Sequence, residues 1–230
     1  MEEIFDDSID GKRLTLVRSD AKTDAVVWLH ALDNRWQSLL EQCRALGCAP
    51  FHLALVSGLD WDADLSPWPC PPMITRHDNF AGSADAHLQW LVSTAMPVVH
   101  NRLRFDPCRR VLAGYSMAGL FALYAIYGSD LFDAVASASG SVWYPDFVKY
   151  ATHRLPKHLP QSVYLSIGDR EDRSRNEHVR RVIDHTRTLA HHYRTLGCRV
   201  TLEVNPGNHF RDLELRMARA ITISLQQLQS

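Results

Sequence analysis

Short apolar runs alternate along the chain with segments in which apolar residues recur every three or four positions. The run at 25–30, AVVWLH, is continuously apolar, which is typical of a strand covered on both faces. Strands that alternate with helices indicate a mostly parallel sheet, so we expect an α/β fold with helices on both faces of the sheet. The runs predict strands at 13–17, 25–30, 51–57, 110–114, 134–139, 163–167 and 199–205.

Between these runs, helical spacing begins near residues 36, 88, 174 and 211. Pro97 predicts a kink in the second helix, and Ser174 with Glu177 reads as a capping box that opens the third. The segment 58–72 is too rich in proline for regular structure but carries two tryptophans, so we expect an ordered, functional loop. No repeat or flexible linker interrupts the pattern, so residues 1–230 are predicted to form one domain.

Composition narrows the class of protein. The chain has 25 basic and 26 acidic residues without a basic stripe, so we expect no nucleic-acid partner. No apolar run reaches the roughly 18 residues of a membrane span, and the acidic start does not read as a signal peptide. Five cysteines without a CxxC pair indicate reduced thiols, so we predict a cytoplasmic protein. No cysteine–histidine cluster has ligand spacing, so neither a metal nor a cofactor is expected. The composition leaves open whether the chain forms a homo-oligomer.

One predicted strand runs directly into a turn of small residues with a serine at its centre. Residues 110–118 read RVLAGYSMA, and Gly119 and an apolar helix follow. This is the Gly-x-Ser-x-Gly nucleophile-elbow pattern, with Ala118 in place of the final glycine. The turn is so tight that the positions two before and two after the serine must be small. The pattern therefore predicts Ser116 as a nucleophile that projects above the edge of the sheet.

A serine nucleophile needs a base, and the base needs an acid that orients it. In this arrangement the acid and then the histidine follow the serine in the chain. His209 comes after the last predicted strand and a Pro-Gly turn, so we predict that it is the base. Asp169, Glu171 and Asp172 all follow the strand at 163–167, and the residues alone leave the choice open. We favour Glu171.

The oxyanion formed during acyl transfer needs two backbone N–H donors. Met117 is predicted to supply one, because it directly follows the serine. The other should come from the loop after the strand at 25–30, where Leu32 and Ala31 are the candidates and Leu32 is our choice.

Aromatic residues follow several predicted strand ends, which is the face where α/β folds bind ligands. Trp68 lies in the proline-rich loop, and Trp143 and Tyr144 follow the strand at 134–139. We expect these three side chains to contact the substrate. For Trp143 and Tyr144, packing against the core is an equal alternative.

Taken in this order, the motifs resemble the putative esterase family of α/β hydrolases, which includes esterase D, feruloyl esterases and enterochelin-type siderophore esterases. The likeness implies the α/β-hydrolase fold, with Ser116 as nucleophile, Glu171 as acid and His209 as base. The chain itself shows no large lid insertion between residues 139 and 163, so we expect no large lid domain. Where many relatives have His-Gly-Gly in the oxyanion loop, this chain has HALD at 30–33. The segments that resemble the family are SGLDW (57–61), LSPWP (65–69), GYSMAGLF (114–121), GDRE (168–171) and NPGNHF (205–210).

These observations predict a serine esterase that cleaves a small-molecule ester with a small acyl, aryl or siderophore-type group, through an acyl-enzyme on Ser116. The same residues could transfer the acyl group to another acceptor or cleave a thioester. The alternative from another class is a non-catalytic α/β-hydrolase relative that serves as a binding module. Its mark would be a missing member of the triad.

Overall fold

An eight-stranded sheet forms the centre of the computed structural model, which describes residues 1–229. Its strands are β1 (Glu2–Ile9), β2 (Lys12–Arg18), β3 (Ala25–His30), β4 (His52–Ser57), β5 (Arg109–Tyr115), β6 (Ala134–Ala138), β7 (Ser162–Gly168) and β8 (Arg199–Asn205). The order across the sheet is β1-β2-β4-β3-β5-β6-β7-β8. β1 and β2 pair antiparallel, β2 joins β4 antiparallel, and the remaining neighbours pair in parallel.

Within residues 1–229, seven α-helices lie in the connections between strands and an eighth follows β8. A π-helical turn at Leu91–Ala95 joins the third helix to the fourth, and a 3₁₀ turn at Val179–Arg181 precedes the seventh. The helices are α1 (Gln37–Ala45), α2 (Trp61–Leu65), α3 (Ala84–Trp90), α4 (Met96–Leu103), α5 (Met117–Gly128), α6 (Phe147–Thr152), α7 (Val182–Thr195) and α8 (Leu213–Gln227).

The helices cover both faces of the sheet because its central strands are apolar on both sides. Every residue of β3 and β4 is buried. α1 and α8 pack on one face, whereas α3, α4, α5 and α7 pack on the other. Between β6 and β7 the chain forms only the short helix α6, so no lid domain is inserted there. The predicted α/β fold with a mostly parallel sheet is confirmed. No helix within residues 1–229 has the length and apolar character needed to cross a bilayer.

β1 lies outside the sequence prediction. Its residues read EEIFDDSI, and four acids conceal any apolar alternation. The strand forms because its backbone pairs with β2 along its whole length. As an edge strand it leaves most of its side chains in solvent, so its charges need not be buried.

The predicted start of α7 is wrong. The hydroxyl of Ser174 accepts the N–H of Asn176 (3.1 Å), so it closes a turn within a loop rather than capping a helix. The helix begins eight residues later, at Val182. Pro97 lies at the beginning of α4, directly after the π-helical turn. A widened turn of this kind accommodates the missing N–H of a proline within a continuous helical path.

Candidate active site

The turn between β5 and α5 holds Ser116 in a strained backbone conformation. Its φ is 58° and its ψ is −121°, a region that residues with a Cβ rarely adopt. A Cβ added at Gly114 would collide with Ala118, so position 114 tolerates only glycine. The Ala118 methyl group fits within the turn, which explains why alanine serves in the last position of the pattern. The predicted elbow therefore forms, with Ser116 at its apex.

Three side chains from separate loops meet at this apex. His209 Nε2 lies 3.1 Å from Ser116 Oγ, and His209 Nδ1 lies 2.8 Å from Glu171 Oε2. Ser116 stands between β5 and α5, Glu171 follows β7, and His209 follows β8. The carboxyl ends of these parallel strands lie at one edge of the sheet, which brings the three residues together. The structure thus joins the predicted nucleophile, acid and base in one hydrogen-bonded chain.

Glu171 is buried, and its Oε1 atom is held by donors other than the histidine. The Gly168 N–H and the Ser139 hydroxyl each donate to Oε1 at 2.7 Å. Burial acts to raise the pKa of Glu171, but the bonds from His209, Ser139 and Gly168 outweigh it and lower the pKa below its usual value. The carboxyl group is therefore ionised and presents Oε2 to the base.

The two other acids after β7 do not reach His209. Asp169 Oδ1 accepts the N–H of Gly207 (2.7 Å), so it fixes the turn that precedes the histidine. Asp172 is exposed. Of the three candidates, only Glu171 contacts the base.

Two residues to which the sequence assigned no role support the hydrogen-bonded chain of Glu171, His209 and Ser116. Tyr115 donates its hydroxyl to the backbone carbonyl of His209 (2.6 Å). Arg216 on α8 is 2% exposed and donates to Glu171 Oε1 (3.1 Å). A signal for Arg216 does exist in the sequence, because it lies four residues before Ala220 on the buried stripe of α8.

The Ser116 hydroxyl faces an open cleft with a volume of about 1440 Å³. Burial is uneven around its wall. Leu29, Leu39 and Leu55 form a deep apolar part, whereas Leu32 and Phe210 at the mouth are 74% and 78% exposed. Exposed charged residues such as Asp33, Arg35 and Glu214 also line the cleft, so its base is apolar whereas its entrance is mixed.

The structure places the three predicted aromatic contacts in different surroundings. Trp143 lines the cleft, and so does Trp61. Trp68 and Tyr144 do not, because the Tyr144 hydroxyl donates to the Trp68 carbonyl (2.6 Å) and the Trp68 indole donates to the Pro145 carbonyl (3.2 Å). Tyr144 is buried in the core, and the partly buried Trp68 packs against it with its ring beside that of Tyr144, so the pair links two loops. Their assignment as substrate contacts is corrected to a structural role.

The two predicted oxyanion donors come from different segments. Met117 directly follows Ser116, and Leu32 lies in the loop after β3. Met117 is the first residue of α5, where a backbone N–H has no acceptor within the helix. Leu32 lines the cleft. The Ala31 N–H donates to the Val56 carbonyl (3.0 Å), which removes Ala31 from the choice. Within residues 1–229, no group of three or more His, Cys, Asp or Glu side chains is arranged to hold a metal ion.

Comparison with known proteins agrees with this geometry. A family model described as "Putative esterase" matches residues 18–212. The chain is 25% identical over 129 residues to the uncharacterized protein YbbA of Bacillus subtilis, a match that covers 55% of this chain and 52% of YbbA. It therefore spans about half the length of this curated relative.

Two solved structures share the fold. Siderophore hydrolase EstA from Aspergillus nidulans is 19% identical with a TM-score of 0.72, over 95% of this chain and 90% of EstA. An IroE-like serine hydrolase from Shewanella oneidensis is 15% identical with a TM-score of 0.79, over 92% of this chain and 75% of that chain. At these identities the likeness concerns the fold.

Proposed function

The chain belongs to the putative esterase family, and from this premise we propose that it hydrolyses a carboxylic ester through an acyl-enzyme formed on Ser116. The observation that carries the proposal is the hydrogen-bonded chain from Glu171 through His209 to Ser116 at the wall of the cleft. All three members of the triad are present, whereas a non-catalytic binding module would lack at least one of them.

In the first half of the reaction, Ser116 Oγ attacks the ester carbonyl carbon and its proton passes to His209 Nε2. The tetrahedral adduct then breaks its bond to the alcohol oxygen, which leaves with the proton from His209. In the second half, a water molecule gives its proton to His209 and attacks the acyl carbon, and the carboxylic acid departs as Ser116 recovers its proton. Glu171 holds the imidazole and stabilises its positive charge throughout.

The tetrahedral adducts carry a negative oxygen that needs hydrogen-bond donors. The Met117 N–H suits this role because it lies at the positive end of α5 and directly follows the nucleophile. Leu32 supplies the second N–H in this proposal, since the Ala31 N–H is already bonded to Val56.

The shape and lining of the cleft support an ester with an apolar acyl or aryl group. Trp61 and Trp143 offer flat aromatic surface, and Leu29, Leu39 and Leu55 offer aliphatic surface. A volume of about 1440 Å³ exceeds that of a small acetate ester, so bulky substrates are accommodated. Siderophore-type esters belong among the candidates because EstA, which shares the fold, is a siderophore hydrolase.

The test uses a fluorophosphonate probe and a panel of short acyl, long acyl, aryl and siderophore esters. We expect stoichiometric labelling of Ser116 and turnover of at least one ester class. Ser116→Ala should abolish labelling and lower kcat by on the order of 10⁶-fold. The matched control is Ser174→Ala, since Ser174 lines the same cleft but does not contact His209. Labelling of another residue, or full activity in Ser116→Ala, would refute the proposal.

A further inference from the structure

A buried arginine lies behind the acid and the base, on the side away from the nucleophile. Arg216 belongs to the first turn of α8 and is among the largest fully buried side chains of residues 1–229. Burying a guanidinium is costly unless an anion and several acceptors compensate for the lost water. The arrangement of its partners therefore decides what this residue does.

One nitrogen of the guanidinium group contacts three acceptors around the acid. Arg216 Nη1 lies 3.1 Å from Glu171 Oε1, 3.1 Å from Ser139 Oγ and 3.3 Å from the Tyr115 hydroxyl. Ser139 in turn donates its own hydroxyl to Glu171 Oε1. These contacts hold Oε1 on the side of α8, which leaves Oε2 directed at His209 Nδ1.

The same guanidinium also reaches the segment that carries the base. Its Nη2 atom donates to the carbonyl of Pro206 (3.2 Å), three residues before His209. The Tyr115 hydroxyl, which accepts from Arg216, donates to the carbonyl of His209. Arg216 therefore contacts the acid directly, contacts the backbone before the base at the Pro206 carbonyl, and is linked to the His209 carbonyl through Tyr115.

We propose that Arg216 is a positioning residue of the esterase reaction, which fixes the orientation of Glu171 and the placement of His209 relative to Ser116. The inference rests on the proposed function, because positioning has meaning only if this triad performs catalysis. Arg216 does not line the cleft, so it influences turnover rather than substrate binding. Its side chain is an ionic link between α8 and the loops after β7 and β8.

The test compares Arg216→Met, which removes the charge and all four hydrogen bonds, with Arg216→Lys, which keeps the charge. Fluorophosphonate titration counts the competent sites in each preparation, so that kcat refers to folded enzyme. We expect Arg216→Met to lower kcat by on the order of 10²-fold, the cost of a small misplacement of reacting groups. KM should change less than about threefold, because contacts within the cleft remain. The kcat of Arg216→Lys should be at least tenfold higher than that of Arg216→Met.

The matched control is Arg219→Met on the same helix. Arg219 pairs with Glu203 at the protein surface, with its side chain 43% exposed, and should leave kcat unchanged. If Arg216→Met does not fold, Tyr115→Phe removes the hydroxyl between Arg216 and His209, and a loss of about tenfold in kcat is expected. Wild-type kcat per labelled site in Arg216→Met, or a defect of that variant confined to KM, would overturn the proposal. Absence of Ser116 labelling in the wild-type protein would instead refute the proposed function.

Discussion

Glu171 carries a negative charge in a place that water scarcely reaches. Its side chain is 4% exposed, and the cost of burial is offset by donors on both carboxylate oxygens. The Glu171 N–H also bonds to the Gly168 carbonyl (3.3 Å), so the loop turns back toward the sheet at this residue. The extra methylene of glutamate is thus combined with a backbone turn that neither neighbouring aspartate shares.

The role of the acid predicts a strong effect of Glu171→Gln. An amide nitrogen facing His209 Nδ1 would favour the tautomer that carries its proton on Nε2, which cannot accept the Ser116 proton. We expect kcat to fall by about 10²- to 10⁴-fold while Ser116 remains in place. Steady-state kinetics on the best ester of the panel provides the measurement.

The control is Asp172→Asn, which removes an exposed carboxylate one residue away and should change kcat less than about twofold. Asp169→Asn should fall between the two, because Asp169 fixes the Gly207 turn before the base. A mild Glu171→Gln together with an inactive Asp172→Asn would contradict the assignment.

The meeting of Ser116 and His209 was predictable because the position of each follows from local chemistry. The elbow requires small residues at fixed spacing around Ser116, and His209 occupies the loop between a strand and a helix. Arg216 was not predictable in the same way, because its spacing on α8 indicates burial but does not identify the acid that it binds. Its partners come from four other segments of the chain, so their meeting depends on the complete fold.

The two tryptophans of the segment between β4 and α3 lie in different surroundings and serve different purposes. Its N-terminal part forms α2, which Asp60 caps by accepting the Ala63 N–H (3.2 Å), and Trp61 at the start of this helix lines the cleft. Further along, Trp68 contacts the rings of Tyr124 and Tyr150 and is tied to the loop after β6. The first tryptophan therefore lies on the wall of the cleft, and the second anchors the segment.

This division predicts opposite outcomes for two tryptophan substitutions. Trp68→Ala should lower the free energy of unfolding by about 3 kcal/mol, because it opens a cavity among aromatic rings and removes a hydrogen bond. Its kcat and KM per folded molecule should remain near wild type. Trp61→Ala should instead raise KM for aryl esters by about tenfold, through loss of apolar contact. Denaturant unfolding and kinetics on both variants provide the comparison, and equal effects on stability would contradict this division.

The elements predicted from periodicity were mostly correct, and the errors have physical causes. A continuously apolar run such as β3 can be recognised as a strand from the sequence, because a strand buried on both faces consists mostly of apolar residues. β1 depends on pairing with a distant strand, and its acidic sequence gives no local sign of that pairing. The assumed cap at Ser174 failed because a capping pattern also fits a turn within a loop. Trp68 and Tyr144 were misassigned because position after a strand does not reveal which way a side chain points.

Across the whole molecule, a buried histidine pair joins the sheet to the helical layer. His30 at the end of β3 and His87 on α3 meet with their Nε2 atoms 2.9 Å apart, so one donates and the other accepts. Burial lowers the pKa of both side chains, to about 3 for His87, and nearby Lys12 acts in the same direction. Both rings are therefore neutral in the folded protein, although His30 borders the cleft.

The pair predicts a loss of stability in mild acid. Above about pH 6.5, the ordinary pKa of histidine, neither the folded nor the unfolded state binds a proton here. Between about pH 6.5 and 3 the unfolded chain takes up protons that the folded protein refuses. Over this range His87 lowers the free energy of unfolding by about 1.4 kcal/mol per pH unit, and His30, whose pKa burial also lowers, acts in the same direction.

Denaturant unfolding between pH 7.5 and 5 tests this linkage, in a range where most carboxylates remain ionised. The pH slope of His87→Gln should be smaller than that of the wild type by about 1.4 kcal/mol per pH unit. His158→Asn, at an exposed position, should keep the wild-type slope. Identical slopes for His87→Gln and wild type would contradict the prediction.

Because Ser116 has a positive φ, the residue that would make position 116 most stable is not the residue that the proposed reaction needs. Such a conformation costs on the order of 1–3 kcal/mol for a residue with a Cβ, whereas glycine adopts it freely at a smaller entropic cost. A glycine at position 116 would thus give a more durable but inert protein. In a search for thermostable variants without selection for turnover, position 116 is where we would expect the enzyme to lose its chemistry first.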